Sequence, residues 1–406
     1  MTATAMTALY PAVPAGLGTH NPVTARLDNQ GVFGPLLVGF GKWLPVVVQP
    51  SQKSHLLPCG NGQQPKQEGK QPNIQAIGRS WNARAILAPH SPACCLPAHP
   101  AGFLLITHRS TMIRTLLRTS RPPFLLLPLA IVALSLALAC RYGADWSALP
   151  SWLVLAGALA AHAAVNVLNE VYDARSGLDE RTQRTPFSGG SGALQEQPQL
   201  VYAAHCLGLA LVALVSAIGL YLVWLRGWGL LPIGLAGLLV VMAYTPKITS
   251  SPWFCLIAPG LGFGPLMMLG SHFALTGEYS LTMPVCSLIP FFLVNNLLLL
   301  NQFPDLEADR SIGRNNILIA KGPATALRVF HSFQLGAFLT LLFLVLGSWL
   351  PATALLGMAG FIPALALYRG LKKMPPGSVP DNRLVALNVQ VNLLVPSCMA
   401  LGVVLA

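Results

Sequence analysis

Residues 150–173 read PSWLVLAGALAAHAAVNVLNEVYD. The first charged side chain is Glu170, so twenty consecutive residues carry no charge, about the length that crosses the hydrocarbon core of a bilayer as a helix. At the end of this run Asn166, Asn169, Glu170 and Asp173 are spaced i, i+3, i+4, i+7 and share one helical face. Four polar groups on one stripe are costly against lipid, so they must face a polar cavity or one another. A membrane helix with a polar stripe at one end is the pattern from which the rest of the chain is read.

Outward from that stretch the composition agrees. Of 406 residues, 53% are hydrophobic and only 9% charged, whereas soluble domains carry about 25%. So few charges cannot cover a soluble surface of this size. The net charge is +12, but the Lys and Arg residues are spread between apolar runs. That distribution fits anionic headgroups and membrane topology, and no nucleic-acid partner is expected. From Pro122 onward the chain alternates apolar runs with short polar loops. Nine runs of span length are read, near 122–140, 150–172, 199–223, 228–246, 253–275, 281–303, 323–347, 350–368 and 385–405. With residues ahead of the first run inside, the inside segments hold sixteen Lys and Arg, and the outside loops hold only Arg141 and Arg226. The positive-inside bias therefore supports nine spans with the C-terminus outside. The expected fold is all-α: a multi-pass protein with nine transmembrane helices around a central cavity. Its expected place is the inner (cytoplasmic) membrane, with the acidic loops on the cytoplasmic side.

Residues 1–111 differ in kind. Stretches such as GNGQQPKQEGKQPNIQ, residues 60–75, cannot bury a core. A disordered extension is expected there. Met112 opens a more typical start, MIRTLLRTSRPP, so the extension is expected to reflect an over-extended gene model, with the functional domain at 112–406.

Seven of the thirteen acidic residues lie in two stretches, 166–192 and 301–316. The second reads NQFPDLEADRSIGRNN. Both repeat Asn, three residues, Asp: Asn169–Asp173 and Asn301–Asp305. Asp305 and Asp309 are i, i+4 and share a face. Carboxylates brought together at low dielectric repel strongly unless a cation joins them. Oxygen-only ligands point to Mg²⁺, which takes one or two carboxylates and fills its shell with waters and substrate phosphates. Arg181, Arg184, Arg310, Arg314 and Lys321 lie in the same loops, and guanidinium forks suit phosphate oxygens. Carboxylates, Mg²⁺ and arginines at a membrane surface describe a site for a lipid-tailed diphosphate. An ion-coupled transporter is the reading from another class. It expects acids near the midplane, whereas these lie at span ends beside arginines.

These residues resemble the UbiA superfamily of intramembrane prenyltransferases, over about residues 112–406. The family has nine helices and two Asp-rich motifs, after the second and sixth. Asn169-Glu170-Val171-Tyr172-Asp173 is similar to its N-D-x-x-D, with Glu in place of the usual Asp. Gly177 stands where a third Asp often sits, and Asp179 follows two places on. This form is most like the branch that prenylates 1,4-dihydroxy-2-naphthoate on the way to menaquinone. Arg181 to Pro186 resembles the basic R-T-x-x-R segment. Asp305, Asp309 and Gly313 match D-x-x-x-D-x-x-x-G, and Tyr244-Thr245-Pro246 resembles the Y-T-P that ends helix four. The acid that many members carry soon after Y-T-P is absent.

The resemblance implies Mg²⁺-dependent transfer of a polyprenyl group from its diphosphate to an aromatic acceptor. The acceptor expected first is dihydroxynaphthoate; 4-hydroxybenzoate or another acceptor of the family is the alternative. Asn169, Glu170, Asp173, Asp305 and Asp309 are expected as metal-site residues, with Asp173, Asp305 and Asp309 catalytic. Arg184, Arg314 and Lys321 are expected on the diphosphate. Asn166, Asp179, Arg181 and Asn301 are expected in support. Tyr172 and Tyr244 are expected either to shield a carbocation with their ring faces or to anchor the membrane interface.

Overall fold

The computed structural model describes residues 101–406 apart from Asp179, Gln183 and Ser188, with side chains from Ser110 onward. The extension read for 1–111 therefore lies outside the described residues as far as residue 100. Helix α1, Ala101–Thr119, runs across the boundary placed at Met112.

The described residues contain helices and no strands. After α1 come α2 (Pro122–Cys140), α3 (Leu149–Ser176), α4 (Pro198–Arg226), α5 (Trp228–Ala243), α6 (Pro252–Thr276) and α7 (Thr282–Asn301). A short α8 (Leu306–Ser311) follows. The last three are α9 (Ile317–Leu346), α10 (Ala352–Lys373) and α11 (Asn382–Val404). Eight of these are long and apolar enough to cross a bilayer, and the chain is a multi-pass membrane protein.

All nine runs read from the sequence are apolar helices, eight of them of span length and one shorter. The run read at 228–246 is α5, which stops at Ala243 and falls short of span length. Pro246 explains the stop. Proline lacks the N–H a continuing helix needs, and it biases the residue before it away from helical angles.

Consecutive membrane helices are neighbours, α6 and α7 pair with α9, and α11 packs back on α2, which closes a ring. Ile131, Met283, Ile289, Leu341 and Met399 form the dry seam between α2, α7, α9 and α11. Inside α6 one turn widens to a π-helix over Gly262–Leu266. The same helix lies close on α7: a Cβ on Gly264 would come within 2.5 Å of the Ser287 carbonyl, so only glycine fits there.

The loops at 176–198, 243–252 and 301–317 gather at one end of the ring. Arg181 Nη1 donates to Ser311 Oγ at 3.1 Å, and the Asn315 amide donates to the Thr249 carbonyl at 3.1 Å. Both acidic stretches thus sit on one side, as their topology predicts. Arg141 and Arg226 are at the other end, where Arg226 Nε donates to the Ala274 carbonyl at 3.1 Å.

Candidate functional site

Helix α3 carries the first polar cluster and stops at Gly177, whose φ of 69° is the left-handed cap position. Glycine holds that backbone without a Cβ penalty. The second cluster is held by a tight loop. Asp305 precedes α8, and the Asp309 amide donates to the Asp305 carbonyl at 2.8 Å. Gly313, with φ 80°, reverses the chain. Asn316 then caps α9 by accepting from the Ile319 amide at 3.0 Å.

Arg314 joins the two clusters. Its Nη2 pairs with Asp173 Oδ1 and its Nη1 with Asp309 Oδ1 at 3.0 Å. The two carboxylates are therefore within about 8 Å of each other, the span of two hydrogen bonds and one guanidinium fork. Asn169 Nδ2 donates to Asp173 Oδ2 at 3.0 Å, and Asn169 Oδ1 accepts from Thr245 Oγ1 at 3.1 Å. The Tyr-Thr-Pro segment thus orients Asn169, and Asn169 orients Asp173. On the other side Asn316 Nδ2 donates to Asp309 Oδ2 at 3.2 Å.

These groups form the mouth of a cavity of about 490 Å³. Asn166, Asn169, Asp173, Asn301, Asp305 and Asp309 line it, with Tyr244 and Arg314. Below the mouth the wall turns apolar, from Val165 and Ala161 of α3 up to Leu153, and across to Gly219, Gly234 and Gly237. Asp305 Oδ1 and Asn301 Oδ1 are buried with no hydrogen-bond partner. Burial, with the charge of Asp309 behind it, pushes the Asp305 carboxyl up to about 7. Burial also raises Asp309 despite the pull of Arg314. Tyr244 is raised by burial, which keeps its hydroxyl protonated.

Oxygen atoms left bare beside paired carboxylates are the donor set of a hard cation. Among the described residues no three acidic, His or Cys side chains enclose a metal by themselves. Mg²⁺ does not require that, because waters and phosphates complete its shell. The residues present fit Mg²⁺.

Several expected residues lie elsewhere. Glu170, expected as a ligand, is fully buried away from the cavity wall; its carboxylate is taken up by Arg121 and Ser191. Arg184 is exposed, donates to Gln195 Oε1 at 3.1 Å and lies over Gly192. Lys321 is exposed on the second turn of α9, and Tyr172 is 39% exposed; neither lines the cavity. Arg181 ties the two loops together from outside, and Asn166 lines the mouth while donating to the Ser120 carbonyl at 3.0 Å. Asp179 lies outside the described residues. Arg121 was missed: it lines the cavity, yet in the sequence it is one more basic residue of a topogenic leader. Thr245 and Asn316 were missed as well, and no spacing rule marks either.

A ring of membrane helices with an oxygen-lined, arginine-bridged mouth above an apolar cavity defines a class: multi-pass membrane proteins with a polar site set into the helix bundle. Comparison with known proteins gives the family. Residues 126–383 match the model of the UbiA prenyltransferase family, and the chain belongs to it. A 1,4-dihydroxy-2-naphthoate octaprenyltransferase of Bacillus subtilis (strain 168) is 24% identical over 253 residues, 60% of this chain and 77% of that protein. A UbiA homologue from Archaeoglobus fulgidus, solved with DMAPP and Mg²⁺, is 17% identical, with a TM-score of 0.53 over 72% of this chain and 99% of that one. The apo UbiA homologue from Aeropyrum pernix K1 is 18% identical, with a TM-score of 0.54 over 70% of this chain and 98% of that one. At these identities the two structures show the fold alone.

Proposed function

We propose that this protein transfers a polyprenyl group from its diphosphate to an aromatic acceptor in a Mg²⁺-dependent reaction, with 1,4-dihydroxy-2-naphthoate as the first candidate acceptor. The observation that carries the reading is Arg314 bonded to both Asp173 and Asp309 at the mouth of an apolar cavity. A diphosphate fits the mouth and an isoprenoid tail fits the tunnel below it. The naphthoate assignment is drawn from the Bacillus relative, and 4-hydroxybenzoate is the alternative. The Lys and Arg bias of the loops supports a cytoplasmic-side site.

Asp173, Asp305 and Asp309 would hold Mg²⁺, which supplies charge that neutralises the leaving diphosphate. Asn169 and Asn316 keep two of those carboxylates in place. Arg314 donates to phosphate oxygens as the allylic C–O bond breaks, stabilising the charge that collects there. The apolar wall excludes water from the carbocation, and Tyr244, which lines the cavity, would shield it. A ring carbon of the acceptor forms the new C–C bond. Carbon dioxide departs from dihydroxynaphthoate, or a ring proton from other acceptors, to restore aromaticity.

The test uses membranes supplied with a polyprenyl diphosphate and, in parallel, each candidate acceptor. Mg²⁺-dependent release of diphosphate and a prenylated product of matching mass are expected, both lost in Asp173→Ala and Asp305→Ala. No release with any acceptor would overturn the reading.

A further inference from the structure

We infer that Glu170 is a positioning residue and not a cation ligand: with Ser191 it holds Arg121 at the cavity mouth as a second contact for the diphosphate, beside Arg314. The inference rests on the donor assignment proposed above.

Glu170 is 0% exposed. Its Oε1 accepts from Arg121 Nε at 2.7 Å, pairs with Arg121 Nη2 at 2.6 Å and accepts from the Ser191 amide at 2.6 Å. Its Oε2 accepts from Ser191 Oγ at 2.8 Å. A carboxylate offers about four acceptor positions, and these bonds occupy most of them. A cation at Glu170 would have to break this set and leave the half-buried Arg121 without its counter-charge.

Arg121 lies between α1 and α2 with φ 50° and ψ 66°. A residue other than glycine holds left-handed backbone only where its surroundings over-determine it. Glu170 supplies that constraint from α3. The guanidinium spends its Nε and Nη2 edge on Glu170, so the Nη1 end remains for the cavity that Arg121 lines. Among the described residues, Arg121 and Arg314 are the two of the cavity wall with a permanent positive charge. Arg314 is already shared by two carboxylates, and a diphosphate carries more charge than one shared guanidinium can answer. Ser191 also brings the glycine-rich loop to the same carboxylate, and Gly189 and Gly190 of that loop line the mouth. The extra methylene of Glu over Asp is what lets a carboxylate at 170 reach both partners.

The reach argument makes the test sharp, because Asp suits a ligand and fails as a spacer. The full chain, purified in detergent, is titrated calorimetrically with geranyl diphosphate at fixed Mg²⁺. Mg²⁺ half-saturation is then measured at saturating geranyl diphosphate, and melting curves check the fold. Arg121→Lys and Glu170→Asp are expected to weaken geranyl diphosphate by about tenfold or more, the loss of a charge-assisted bond. Ser191→Ala, the mildest change, moves the same way by a smaller factor. All three keep the Mg²⁺ half-saturation of the unaltered protein, whereas Asp173→Asn shifts it. Glu170→Asp binding like the unaltered chain, together with a shifted Mg²⁺ half-saturation in Glu170→Gln, would make Glu170 a ligand and overturn the inference. Undiminished binding by Arg121→Lys would overturn it too, leaving the donor assignment intact. If the unaltered protein binds no geranyl diphosphate, the donor assignment fails and takes the inference with it.

Discussion

Replacing Arg314 by Ala should destabilise the metal-free protein, and Mg²⁺ should restore most of what is lost. The Arg314 side chain is 16% exposed and pairs with two carboxylates that are 6% exposed. Without it, Asp173 and Asp309 face each other across about 8 Å, a repulsion of about 2 kcal/mol at the effective dielectric of a protein site. Removing one partner from a buried ion pair costs about 3–5 kcal/mol in total, which includes that repulsion. For a chain of this length such a loss lowers the melting temperature by about 6 °C. The assay is a melting curve of the detergent-purified protein in EDTA and again in millimolar Mg²⁺. The variant should melt lower in EDTA and close to the unaltered protein in Mg²⁺, because the cation replaces the missing charge. Two results would refute the reasoning: no loss in EDTA, or the same loss with Mg²⁺ present. The first would mean that the ion pairs contribute nothing. The second would mean that the carboxylates do not bind the cation.

Three further outcomes are expected. Asp305 is ionised above its ordinary value when unfolded but only above about 7 when folded, so its contribution to stability is present below the unfolded value and is lost as pH rises from about 4 to 7; melting curves in EDTA should fall over that window and flatten in Asp305→Asn. Gly237 lines the tunnel, and a Cβ there would meet nothing within 4 Å, so Gly237→Phe should fold and block the tunnel. Turnover of a long-chain donor should then drop while geranyl diphosphate is still used; equal loss with both donors would refute the placement of the tail. Asn316→Ala removes the α9 cap and one bond to Asp309; a loss of about 1 kcal/mol by denaturant titration is expected from the cap alone.

The sequence made the architecture legible because the bilayer simplifies the code. Long uncharged runs are helices, and the Lys and Arg bias orients them. α5 escaped because its composition is that of a span and only Pro246 sets its length. In the site, spacing identified Asn169, Asp173, Asp305 and Asp309, which the fold brings to one mouth. Glu170 shows the limit of spacing. On a helical wheel the stripe from Asn169 through Asp173 and Asn166 to Glu170 covers about 100°. Its two edges therefore meet different neighbours, Thr245 on one side and Arg121 on the other. Likewise, loop position marked Arg184 and Lys321 as readily as Arg314. Which guanidinium turns inward depends on the reversal at Gly313 and on contacts more than a hundred residues apart, such as Arg314 to Asp173. A single sequence does not display such pairings.

The bridge made by Arg314 has a consequence for how the proposed ligands arrive. Arg314 answers part of the charge of the two carboxylates, like an ion exchanger partly loaded with its own counter-ion. Free Mg²⁺ must compete with a tethered guanidinium for both carboxylates. A metal-free diphosphate must draw that guanidinium away and strand two acids. A preformed Mg²⁺–diphosphate complex does neither: its metal goes to the acids while its phosphates go to the arginine, a double exchange in which every charge keeps a partner. The tether thus favours uptake of the chelate over either ion alone.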